Sequence, residues 1–337
     1  MKRLPEKRKI WLIKHAKKLA CKKRRVHISR LVLVAPSVMD LDEPETLRFL
    51  NDVRRVADDR NMRFYIDFTK ITSITPSCAL VFTSELHRCS LIRGEKNKLR
   101  VVDFNKWNPD IRNSLRDMGM FNLLRISNLP KKFMKEESTS NTKFFKFVSD
   151  KKINGEKSVS FRDIVSEAIS GVPNKKKLQE AIGEAMDNAL YHGYPDDFVN
   201  MSHFKQMRWW LSASFDSAKN ILTLMFFDHG IGIPKSLPKV HPWLFGRIIS
   251  LLDDDDKKIE AATKAGRSST NKKHRGKGLP QIIDYVKTYS KSGEVKITSG
   301  KGVYKLMKTS DMKKAEIKLC MNQFDINGTL IEWQIKL

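Results

Sequence analysis

The sequence predicts a mixed α/β and α+β protein in two parts: an N-terminal α/β half, then an α/β sandwich with helices on one face of a mixed sheet. Three observations carry this. Strand-like and helix-like segments alternate through the first half, as they do in an α/β layer with a mixed or parallel sheet. The second half groups helices early and closes with strands, the order of an α+β sandwich. The 337 residues exceed one typical domain of about 100–150 residues, so two domains plus tails are expected.

VHISRLVLVAP reads as strand, because β-branched and apolar residues cluster before Pro36. Asp42 to Asp59 reads as helix: Leu47, Leu50, Val53 and Val56 recur at three-residue steps and fall near one face. MRFYIDFTKI carries a second strand. TPSCALVFTSELHRCSLI carries a helix with Thr75 as N-cap and Pro76 at its first position. KLRVVDF is a third strand and PDIRNSLRDMGMFNLL a further helix.

Residues 128–160 lack sustained periodicity, and NLPKKFMKEESTSNT is polar and contains breakers, so this stretch reads as a linker between domains at 26–127 and 161–337. Beyond it FRDIVSEAIS is a short helix, and KKKLQEAIGEAMDNALYHG is a longer one closed by Gly193. QMRWWLSASFD and NILTLMFFD are strands. Residues 235–275 form a long connection, mostly helical or polar. LPQIIDYVKTYS is a helix, and GEVKITS, GVYKLM, KAEIKLCM and GTLIEWQIKL complete a sheet.

The net charge of +26, from 64 basic and 38 acidic residues, attracts polyanions: nucleotide, nucleic acid or an acidic protein surface. Twelve of the first twenty-five residues are Lys or Arg against the single acid Glu6, so residues 1–25 form a basic leader. That leader fits nucleic-acid contact and fits equally a solvated basic arm. It has no apolar core of a secretory signal, and no apolar run reaches the about eighteen residues of a membrane span, so a cytoplasmic protein without membrane contact is expected. The four cysteines, Cys21, Cys78, Cys89 and Cys320, lack CxxC spacing, which argues against a zinc site or a disulfide framework.

Three segments carry chemistry. Glu180, Glu184, Asn188 and His192 stand four apart on one helix and form a polar stripe, while Ile182, Met186, Ala189 and Leu190 can face a core. One Asn oxygen plus phosphate oxygens is a workable shell for Mg²⁺, and a nearby Glu can take a proton from water or a hydroxyl. A solvated helix face has the same spacing. In FFDHGIGIP an apolar strand delivers Asp228 into a turn of Gly230, Gly232 and Pro234; a buried Asp needs hydrogen-bond donors, and an adenine amine is one. In HRGKGLPQIIDYV a glycine loop opens into a helix, which aims backbone N–H groups at phosphate oxygens.

These elements in this order, with Gly328 and Thr329 opening the last strand, resemble the GHKL (Bergerat-fold) ATP-binding domain over roughly 160–337. EAMDNALYHGYP looks like its N-box, DHGIGIP like its adenine-binding box and RGKGLPQI like its second glycine box. The resemblance implies that ATP and Mg²⁺ are bound, with Asn188 as metal ligand and Asp228 on the adenine amine. Gly230, Gly232, Gly276, Lys277, Gly278, Leu279 and Thr329 complete the nucleotide site, with 235–275 as a long lid. No His has the setting of a histidine-kinase phosphoacceptor. Glu184, Asn188 and the following HGY are closest to the anti-sigma-factor serine kinases, which implies Glu184 as general base. An Arg before the second glycine box assists those kinases; His274 occupies about that position and Arg275 follows it.

FYIDFTKITSITPSCALVFTSELHRC resembles the STAS domain of anti-anti-sigma factors, from about Val26 to Ile126. The resemblance implies Ser77 as phosphoacceptor, although Thr75 and Cys78 replace the Asp and Gly of that motif. Read from the residues alone, Thr75 caps the helix and Ser77 is an early helical residue. The expectation is an ATP-dependent enzyme: a protein Ser/Thr kinase with a protein substrate, or an ATPase switch of a stress or defence system that uses residues 1–25 on nucleic acid. Domains of this superfamily often dimerise, so a homodimer belongs to the expectation.

Overall fold

The computed structural model describes residues 30–59, 63–94, 102–126, 129, 140–201, 206–240, 254–265, 278–312 and 314–337. In the N-terminal half, strands β1 (Arg30–Val34) and β3 (Arg63–Asp67) pair in parallel, and the short β2 (Val38–Met39) and β4 (Ser73–Ile74) do likewise. Between them runs helix α1 (Pro44–Asp58), which starts on Pro44 and buries Leu47, Leu50, Val53 and Val56 as their spacing requires. Helix α2 (Pro76–Arg93) follows, with Thr75 in extended conformation before Pro76. Thr75 is the N-cap residue and Pro76 opens the helix, as expected, although the buried Thr75 hydroxyl makes no capping bond among the described residues. Every residue from Cys78 to Cys89 is buried, so α2 is enclosed on all sides.

The third strand expected over 98–104 lies mostly outside the described residues; its described end forms a 3₁₀ turn at Phe104–Lys106. The next helix divides at Gly119 into α3 (Pro109–Asp117), capped by Asn108 through Asp110 N and Ile111 N, and α4 (Met120–Leu123).

The second half is built on a seven-stranded sheet of order β10-β9-β8-β11-β7-β6-β5. Its strands are β5 (Thr142–Asp150), β6 (Trp209–Asp216), β7 (Ile221–Asp228), β8 (Gly293–Ser299), β9 (Gly302–Lys308), β10 (Glu316–Met321) and β11 (Thr329–Lys336). Every neighbouring pair is antiparallel, which corrects the expected mixed sheet. The cause is the last strand. β7 and β8 run in the same direction, as a helical crossover leaves them, but β11 inserts between the two and opposes both.

Strand β5 and the start of helix α5 (Gly155–Ala168) fall inside the stretch read as linker. The period-two signal is weak there because β5 is an edge strand that buries Phe145 alone, and its register slips between Phe145 and Val148. On one face of the sheet lie α5, α6 (Lys175–Asn188), α9 (Asp255–Ala265) and α10 (Gly278–Asp284), packed on Trp209, Phe226, Ile297, Ile331 and Trp333. The short α7 (Asp196–Met201) and α8 (Ile233–Val240) complete the helices among the described residues. Helix α9 and all of α8 but its first two residues lie within the stretch read as a lid. Helix α9 belongs to the packed layer, with Ile259 fully buried and Asp255 Oδ2 accepting the Lys301 N–H at 2.9 Å.

The opposite face is covered by the N-terminal half. Trp210, Met225, Phe227 and Leu330 of the sheet share one apolar cluster with Phe82, Leu86 and other residues of α1 and α2. Among the described residues no helix is long and apolar enough to cross a membrane.

Candidate functional site

Helix α6 buries Leu178, Ala181, Ile182, Ala185 and Met186 against the sheet, which leaves Glu180, Glu184 and Asn188 along its flank. Lys177 Nζ holds Glu180 at 2.7 Å, a surface ion pair at the far end of the stripe. Glu184 is half-buried; burial, then the neighbouring charge of Asp187, pushes its carboxyl above the usual range. A Cβ built on Gly278, at the start of α10, would sit 3.9 Å from Glu184 Oε1, so the carboxylate lies beside the end of the glycine loop. Asn188 is half-buried, and its buried Nδ2 has no hydrogen-bond partner among the described residues.

After Asn188 the helix widens into a π-turn, Ala189–Gly193. The wider turn takes His192 off the stripe and leaves it exposed, a departure from the expected four-residue row. The turn also presents the Gly193 carbonyl, which accepts the Ile231 N–H at 2.8 Å and so docks the end of α6 on the turn after β7. Gly230 packs against the same carbonyl: a Cβ there would lie 2.5 Å from Gly193 O and 2.7 Å from Asp228 Oδ1.

Asp228 ends β7 with 4% exposure, and the one hydrogen bond to its carboxyl among the described residues comes from Gly230 N–H to Oδ1 at 2.7 Å. Burial pushes this carboxyl up to about 7. Thr329 opens β11 directly beside it in register, and Ser299 ends β8 on the other side of Thr329. Ser299 Oγ shares a 2.9 Å bond with Thr329 Oγ1, donates to Gly328 O at 3.1 Å and accepts Ile233 N–H at 2.8 Å. Gly328, at φ +151°, is required here because any Cβ would overlap the Asp228 carbonyl oxygen. Gly232 lies against Ser299, where a Cβ would come within 2.9 Å of Oγ.

The fold thus gathers Asp228, Gly230, Gly232 and Thr329 at one end of the sheet, with Asn188 and Glu184 leading away along α6 toward Gly278. Leu279 follows Gly278 in α10, packed against the helical core. Arg275, Gly276 and Lys277 lie outside the described residues, as does the basic leader. Ser77 stands apart. It is hydrogen-bonded to Glu332, whose neighbours Ile331 and Trp333 point to the helical layer, so Ser77 and Glu332 occupy the opposite face of the sheet from Glu184.

Several contributors carry no motif signal. Ser299 enters through strand pairing alone. Tyr194 Oη accepts His229 N–H at 2.8 Å and donates to Arg208 O at 2.6 Å; its place within HGYP is the one local hint. His229 is buried, and burial, against the charge of Glu85 and aided by Arg54 and Arg88, pushes it down to about 3. Among the described residues no group of three or more His, Cys, Asp or Glu could hold a metal ion.

No protein-family model matches the chain, and no curated protein matches it.

Proposed function

We propose that this chain binds Mg²⁺·ATP as a GHKL-type ATP-binding protein and transfers the γ-phosphoryl group to a serine or threonine of a partner protein, in the manner of anti-sigma kinases. The observation that carries the reading is Asp228: a buried carboxyl at a strand end, bonded to one backbone N–H and flanked by Thr329 and Gly230. An adenine amine is a donor that such a group lacks. From this end Asn188 and Glu184 follow α6 at the four-residue spacing that runs from base toward phosphates.

In the transfer, Glu184 Oε takes the proton of the acceptor hydroxyl as its oxygen bonds to the γ-phosphorus, and the bond from that phosphorus to the β-phosphate oxygen breaks, releasing ADP. The raised Glu184 carboxyl is the stronger base for it. Asn188 Oδ1 would hold Mg²⁺, which supplies neutralisation of the phosphate oxygens. Ser77 on the opposite sheet face favours an acceptor from another chain.

The test uses γ-labelled ATP and Mg²⁺ with wild type, Glu184→Ala, Asn188→Ala and Asp228→Asn, reading ATP affinity, released phosphate and labelled protein. Wild type should bind ATP, Asp228→Asn should bind about 10- to 100-fold more weakly, and Glu184→Ala should bind but not turn over. Free phosphate without labelled protein would make water the acceptor and the chain an ATPase switch. Absent ATP binding, or binding indifferent to Asp228, overturns the reading.

A further inference from the structure

Two backbone segments frame the base end of the site, the turn after Asp228 and the turn before Thr329. Both are held from the opposite face of the sheet by one helix of the N-terminal half. Arg54 of α1 places Nη2 3.0 Å from His229 Nδ1 and donates from Nη1 to Asn327 O at 3.3 Å. A guanidinium can only donate, so Nδ1 is the acceptor and the imidazole proton resides on Nε2. The ring is wedged edge-on between Trp210 and Phe227, with centroids 5.0 and 4.8 Å away. One turn earlier on α1, Asn51 Nδ2 donates to Asp325 O at 3.1 Å, and its Oδ1 accepts from the Asn327 side chain.

The turn held in this way is an unusual one: Asn327 and Gly328 are consecutive residues at φ +57° and +151°. Arg54 is itself aimed by Glu85, whose Oε2 lies 3.6 Å from Nε, and Glu85 is clamped by Arg88 through Nε and Nη2 at 2.9 and 2.6 Å to Oε1.

We infer that Arg54 is a positioning residue for nucleotide recognition, fastening the chain after Asp228 to the chain before Thr329 so that the two side chains meet an adenine ring at fixed separation. This rests on the proposed ATP site. Arg54 touches no nucleotide and acts through His229 and Asn327. Its loss should therefore erode base selectivity rather than phosphate contact, because a displacement of about 1 Å at a recognition group costs up to about 100-fold.

Calorimetric ATP and GTP affinities of the full chain test it, for wild type, Arg54→Ala, Arg54→Lys, His229→Phe, the Arg54→Ala/His229→Phe double variant and Asp228→Asn. Arg54→Ala should weaken ATP about 10-fold and GTP little, and Arg54→Lys, which cannot reach both acceptors, should fall between. His229→Phe should reproduce the loss, and the double variant should be no worse than the weaker single variant. If Arg54→Ala does not fold, Arg54→Lys and His229→Phe carry the test. ATP selectivity unchanged in the Arg54 variants, or additive losses, overturns the inference while Asp228→Asn still reports the site. A wild type that does not bind ATP, or an Asp228→Asn variant that binds as wild type, overturns both.

Discussion

Two buried carboxyl groups stand on opposite faces of the same sheet, and their surroundings push them in opposite directions. Glu85, on the face covered by the N-terminal half, is desolvated, yet the guanidinium groups of Arg88 and Arg54 outweigh the burial and hold it down to about 2. Asp228, on the helical face, is as deeply buried, has no cation beside it among the described residues, and is pushed up to about 7. A buried carboxylate surrounded by cations is satisfied by the protein and serves structure. One that receives a single backbone N–H is open to a ligand, and strongly perturbed groups of that kind concentrate at functional sites. The sheet thus separates an ionic face that fixes geometry from an apolar face along which the candidate chemistry lies.

The largest expected effect tests the ionic face. Glu85→Gln leaves Arg88 and Arg54 without their shared counter-ion and should destabilise the fold by about 3–5 kcal/mol in urea unfolding at pH 7. The sign in pH follows from a folded pKa held below the ordinary 4.5: the Glu85 contribution is present above that value and disappears as pH falls through about 2. A loss under about 1 kcal/mol would mean that the apolar cluster alone joins the two halves.

Asp228→Asn has the opposite sign. The wild-type carboxyl is raised from 3.8 to about 7, so its stabilising protonated form is present at low pH and lost as pH rises through about 7. The variant should match wild type near pH 4 and exceed it by about 1–3 kcal/mol at pH 8 without nucleotide. Parallel unfolding curves at both pH values would remove the contrast between the faces. In wild type, ATP affinity should rise between pH 6 and 8 as the carboxylate becomes an acceptor, by at most about 10-fold per unit, and the Asn variant should show no such rise. The smallest effect sharpens the geometry of the apolar face. Ser299→Ala removes the hydroxyl that links Thr329, Gly328 and Ile233, and should cost about 1 kcal/mol of stability with a few-fold loss of ATP affinity.

Much of the secondary structure was legible because its signals are local. The spacing of Leu47, Leu50, Val53 and Val56 gave the buried face of α1, and the apolar run before Asp228 gave β7. The four-residue spacing of Glu184 and Asn188 placed both on one flank of α6. The edge strand β5 was not legible, because a bulge interrupts its alternation, and the π-turn hid the departure of His192 from the stripe.

By itself the sequence determined most of the helices and strands, β5 and the π-turn apart, and where Asp228, Gly230, Gly328 and Thr329 interrupt them, since propensity and periodicity act over a few residues. Tertiary structure alone decided that β11 inserts between β7 and β8, which brings Asp228, Thr329 and Ser299 side by side. It also decided that the N-terminal half shares its core with the sheet and that Arg54 reaches His229. Such meetings join residues distant in the chain, 273 positions apart for Arg54 and Asn327. They depend on strand pairing and on the burial of two sheet faces at once, and no local pattern encodes either.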